Sequence, residues 1–174
     1  MIATRYRETC LIETNLRWLQ QMIDFLERLG GDLYMQPVAS LGGQAIGPQF
    51  RHVIDFYDAF LAGLSQRRID YTARKRDRVI ESSRLAALDR LRGLRSKFAI
   101  GGTSLGDRVV WVRVEDSPAE TYVMSSASRE LQELSSHTVH HLAIVAMIAR
   151  TLGAEVDPGL GVSPSTLTHR KSAA

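Results

Sequence analysis

The stretch SRELQELSSHTVHHLAIVAMIARTL, residues 128–152, decides the fold class. Leu131, Leu134, Thr138, His141, Val145, Ile148 and Leu152 recur at intervals of three and four. That is the spacing of one face of an α-helix, not the alternation of a strand. Gly153 follows directly, where helix C-termini commonly turn. A helix over about 128–152 is predicted.

Upstream, three more segments carry the same period. The first runs from about 6 to 29, with Tyr6, Leu11, Leu16, Leu19, Ile23, Leu26 and Leu29 on its face and Gly30-Gly31 at its end. After a loop holding Pro37 and Gly42-Gly43, the second runs from about 44 to 64. Pro48 falls in its first turn, where proline is tolerated. Its stripe is Ile46, Phe50, Val53, Tyr57, Phe60 and Leu64. The third is expected over about 71–97, strongly basic outside, with Val79, Leu85, Leu88 and Leu91 among its few apolar residues. The period then changes. VVWVRV at 109–114 and TYVMS at 121–125, with Asp116-Ser117-Pro118 between them, read as a small β-hairpin over about 109–125. Residues 154–174 form a tail rich in Pro, Gly, Ser and Thr.

These segments predict an all-α fold, a four-helix bundle with a small hairpin between helices three and four. The length of 174 residues suits one domain over 1–174. The long links between helices one and two, and three and four, permit crossovers as well as antiparallel turns. Apolar residues at 44% and charged residues at 24% are a globular composition rather than a disordered one. No apolar run approaches the ~20 residues that span a bilayer, so no membrane role is expected. MIATRYRETC at the start lacks the apolar core of a signal peptide. Cys10 is the single cysteine, which rules out an internal disulfide and fits a cytoplasmic location. The net charge of +3, from 22 basic and 19 acidic residues, is too small to argue for nucleic acid despite a pI of 9.3.

The five histidines carry the chemistry. At roughly 100° per residue, His137 and His141 lie about 40° apart and can point at one ion. The apolar stripe is centred about 30° from His141 and about 65° from His137, while His140 falls roughly 130° away. The spacing selects H-x-x-x-H over the adjacent pair. One inward histidine is more often a hydrogen-bonded packing residue than a ligand, but burying two without partners is costly. A pair is still short of the three protein ligands that catalytic zinc takes. The third would be His52 or His169. Periodicity places His52 about 115° from its helix's apolar centre, as a surface residue, and His169 in the tail. The residues alone leave this choice open.

AIGPQFRHVIDFYDAF at 45–60 and IDYTARKRDRVIE at 69–81 resemble the DinB-like (DinB/YfiT-like) family of metal-binding helix bundles. So do SSASRELQELSSHTVHHLAIVAMIARTLG at 125–153 and GVSPSTLTHR at 161–170. The resemblance covers nearly the whole chain and is weakest at 98–124. It implies an up-down-down-up bundle in which His52, His137 and His141 hold one divalent ion, variously nickel, zinc or iron. Pro48 and Gln49 stand where the family has a second histidine or a glutamine, and Phe56 stands four residues after the helix-two ligand. Neither departure removes a ligand, though both change what lines the site.

An open position on such an ion implies a metal-dependent enzyme. The resemblance implies that it would activate a low-molecular-weight thiol for S-transfer or isomerisation, or water for hydrolysis of a small-molecule substrate. The alternative is a metal-binding stress-response or interaction protein without turnover. A homodimer is the assembly to test. Asp55 and Glu133 lie near the candidate ligands and could orient an imidazole, though the plainer reading is a solvated carboxylate. ARKRDR at 73–78 could meet an acidic partner, but Asp70, Asp77, Glu81 and Asp89 partly neutralise it. No nucleic-acid module accompanies it, so nucleic acid is not expected as a partner.

Overall fold

The computed structural model describes residues 2–101, 108–117 and 120–172. The side chain of Tyr6, all of Pro118 and the last two tail residues lie outside the described residues. Four long helices carry most of the chain: α1 (Ile2–Arg28), α2 (Ile46–Gln66), α4 (Arg84–Gly101) and α5 (Ala127–Thr151). A five-residue α3 (Arg78–Ser82) precedes α4, and α6 (Pro164–Ser172) lies in the tail. Two short 3-10 turns (Gly31–Tyr34 and Ala39–Leu41) lie between α1 and α2, and strands β1 (Arg68–Ile69), β2 (Val109–Arg113) and β3 (Tyr122–Ser126) complete the described elements.

The helices pack where their apolar stripes meet. α1 contacts α4 and α5, and α2 contacts α5, α4 and α3. Leu19, Met22 and Leu26 of α1, with Ile54, Tyr57 and Phe60 of α2, are wholly removed from solvent. Leu91 and Leu94 of α4 and Leu131 and Ile148 of α5 close the same core. Each such side chain contributes roughly 1.5–3 kcal/mol relative to exposure. Two glycines of α2 permit close approach to its neighbours. A Cβ on Gly47 would lie 2.0 Å from the Glu81 carbonyl oxygen, and one on Gly63 would lie 2.4 Å from that of Arg68. Both obstacles are backbone, so α2 can seat against α3 and β1 only through glycine. Among the described residues no helix is long and apolar enough to cross a membrane.

The all-α four-helix bundle with a lone hairpin, and the up-down-down-up topology attached to it, are corrected by a mixed three-stranded sheet of order β1-β2-β3. β2 and β3 pair antiparallel as a hairpin, with Trp111 opposite Met124. β1 then adds in parallel, Arg68 opposite Trp111 and Ile69 opposite Val112. A two-residue strand is too short to show a period of two. It exists because Arg67 ends α2 in a left-handed conformation, φ 54°, with its N–H donated to the Gly63 and Leu64 carbonyls. The chain is thereby turned onto Trp111, whose N–H donates to the Arg67 carbonyl at 2.9 Å.

The third helix also differs from expectation. Asp70 Oδ1 accepts from the N–H groups of Thr72 and Ala73, holding the chain in a turn where a helix is expected. Asp77 then caps α3 by accepting from the Val79 N–H. Ser83 breaks the helix with extended backbone and its hydroxyl accepts from the Ala86 N–H at the start of α4. The break resets the helical phase, so Val79 and Leu85 face solvent while Leu88 and Leu91 are buried. In the tail, Ser163 caps α6 by accepting from the Thr166 N–H.

Candidate metal centre

The seam between α2 and α5 brings three histidines together. His52 projects from α2, and His137 and His141 stand one turn apart on α5. All three are half-buried, and their candidate ligand nitrogens lie within 4.8 Å of one another. His52 Nε2 is 3.0 Å from His137 Nε2, and the His141 ring centroid is 4.5 Å from that of His52 and 4.4 Å from that of His137. His140 is exposed, as is His169 on α6.

Neighbouring side chains hold the rings. Gln49, one turn before His52, has Oε1 2.6 Å from His141 Nδ1, so the amide oxygen accepts from an Nδ1–H. That bond fixes the tautomer and leaves Nε2 of His141 with its lone pair free. The Phe56 ring stacks on His137 at a centroid distance of 3.9 Å, with Tyr71 on it at 5.0 Å. The Arg74 guanidinium lies 4.6 Å over the Phe56 ring. Sequence reasoning gave Gln49 and Phe56 no role on the imidazoles and missed the Arg74 stack. The i, i+3 relation of Gln49 to His52 was the available signal.

Asp55 and Glu133 do not orient an imidazole. Asp55 is buried and paired with Arg51 at 3.2 Å, and Arg51 reaches Glu81 at 3.2 Å. Glu133 pairs with Arg129 at 3.0 Å. Nδ1 of His137 is buried without a hydrogen-bond partner.

Burial is the main cause holding all three imidazoles neutral. It lowers His52 to about 4, assisted by the charges of Arg74, Arg51 and Arg76. It lowers His137 to about 3, assisted by His141 and His52. His141 is lowered to about 4 by burial and then by His52 and His140. Neutral imidazole is the form that ligates metal. Two nitrogens bound at 2.0–2.1 Å to one tetrahedral ion sit about 3.3 Å apart. The observed 3.0 Å between His52 and His137 is close to that, and rotation of the rings covers the rest. The donor set therefore fits a divalent ion, although an ion on this side gives the buried His137 Nδ1 no partner.

Burial of the three imidazoles makes stability depend on pH. The folded histidines titrate below the ordinary 6.5, so the unfolded chain binds more protons as pH falls. Their contribution is complete above pH 6.5 and is lost as pH drops toward 4. Urea unfolding of chelator-treated protein is expected to show stability falling between pH 6.5 and 5. The fall is expected to be smaller when all three histidines are alanine, and equal falls would contradict the assignment.

No family model matches the chain. It is similar to FK506-binding protein 5 of Rhizopus delemar, with 31% identity over 106 residues. The match takes in 59% of this chain but 28% of that protein, so the chain spans under a third of the relative's length.

Proposed function

We propose that the chain is a DinB-like metal-binding protein in which His52, His137 and His141 hold one divalent ion, nickel, zinc or iron. The observation that carries this reading is the convergence of three neutral imidazoles, with ligand nitrogens within 4.8 Å. When bound, such an ion supplies Lewis acidity, enough to bring water to a pKa of about 7 or to hold a thiol as thiolate. The protein's own part is to orient and to shield. Gln49 fixes the His141 tautomer, and Phe56 with Arg74 covers His137. The proposed activity is cytoplasmic S-transfer or isomerisation of a small thiol, or hydrolysis of a small substrate.

One observation keeps the non-catalytic reading alongside it. Asp55 and Glu133 are each tied to an arginine, so neither is free as a proton acceptor beside the imidazoles. The deciding experiment offers metal-loaded protein a small thiol with an electrophile, and separately esters and amides. Metal-dependent turnover absent from His137→Ala is expected. Full metal occupancy without turnover on any of these would leave a binding protein.

A further inference from the structure

A groove of about 650 Å³ lies between the C-terminal half of α2, α4 and residues 68–75. That volume is in the range of small-molecule sites, roughly 300–1,000 Å³. Ala59, Leu61 and Ala62 supply an aliphatic wall, and most of the remaining lining residues are charged.

The charges do not cancel. Each of the three carboxylates on the groove is already engaged by an arginine. Asp55 pairs with Arg51, Asp58 accepts from Arg90 Nε at 2.9 Å, and Asp70 accepts from Arg113 at 2.8 Å. Lys75 and Lys97 also line the groove, and among the described residues neither has a carboxylate partner. Arg68 has its guanidinium 4.2 Å over the Tyr122 ring, and among the described residues it has no carboxylate partner. Lys75, Lys97 and Arg68 thus line one concave space without an ion-pair partner among the described residues, beside three carboxylates each already paired with an arginine.

The loop that presents Lys75 is built rather than slack. The Asp70 turn fixes one end, the Asp77 cap fixes the other, and Arg76 between them takes a left-handed backbone, φ 50°. A non-glycine residue in that region persists only where its surroundings hold it. The backbone that carries Lys75 is therefore set before a ligand arrives, which lowers the ordering cost of binding an anionic group there.

We propose that this groove binds a small molecule through phosphate or carboxylate groups, with Lys75, Lys97 and Arg68 as its partners. The site stands whether or not the histidines hold metal. The test is calorimetric titration of the full chain with inorganic pyrophosphate, and separately with citrate, at low ionic strength. The two arms separate phosphate from carboxylate recognition. Saturable one-to-one binding of at least one probe is expected, weakened at least about tenfold in the double variant Lys75→Gln/Lys97→Gln, as befits charge-assisted contacts. Circular dichroism confirms that this variant, altered only at exposed positions, is folded. Both probes also chelate metal, so the titration is repeated on His137→Ala, where binding is expected to be unchanged. Absence of saturable binding, equal affinity in the double variant, or loss in His137→Ala would overturn the proposal. So would tight duplex DNA binding that vanishes in the double variant while neither small probe binds.

Discussion

His137→Ala is expected to lower bound metal from about one ion per chain to below about a tenth of that while the protein stays folded, because a two-histidine remnant holds a divalent ion weakly. His52→Ala and His141→Ala are expected to do the same. His140→Ala and His169→Ala are expected to keep near-stoichiometric metal, since both residues are exposed and lie outside the cluster. Gln49→Leu removes the acceptor on His141 Nδ1 without removing a ligand, and a loss of roughly 10–100-fold in affinity is expected. Elemental analysis of the six purified variants, beside circular dichroism, reads all of this at once. Retention of metal by His52→Ala would mean that α2 supplies no ligand, and loss in His140→Ala would mean that the wrong pair on α5 had been chosen.

Gly47→Ala is expected to cost about 3 kcal/mol, at the upper end for overpacking. Its Cβ would enter the space of the Glu81 carbonyl at 2.0 Å, with the Tyr34 ring 3.0 Å away. Neither can yield cheaply. Tyr34 is buried and donates its hydroxyl to the Ile80 carbonyl, and the obstacle at Glu81 is backbone. Gly93→Ala is the opposite case. Gly93 lies inside α4, nothing stands within 4 Å of its added Cβ, and about 1 kcal/mol of stabilisation is expected from helix propensity. Urea unfolding compares the two. A change within about 0.5 kcal/mol for Gly47→Ala, the scatter of ordinary surface substitutions, would mean that α2 and α3 do not approach as described.

Helices α1, α2 and α5 were legible because each holds its apolar stripe for three turns or more. α5 is the clearest case. The same 3.6-residue phase that places Leu131, Leu134 and Ile148 in the core sets His137 and His141 side by side and turns His140 outward. His52 was not legible in this way. An apolar centre is defined by the residues that pack into the core, and a site at the rim of a seam lies off that centre. Its half-burial comes from His137, His141 and Phe56, which no single-helix pattern contains. β1 was hidden by its length of two residues, and the break in the third helix by side-chain capping at Asp70, Asp77 and Ser83. Those residues favour helix starts and turns, and here they override the helix preference of a basic run. The Ser163-Pro164 start of α6 was a readable signal, a capping residue before a proline at the first helical position.

We propose that three histidines from α2 and α5 hold one divalent ion. Elemental analysis of the full chain, purified without a histidine tag or added metal, tests it most directly. About one nickel, zinc or iron per chain is expected, the stoichiometry of a single three-ligand site. Protein that carries none of these, and takes up none when titrated with each at neutral pH, would contradict it.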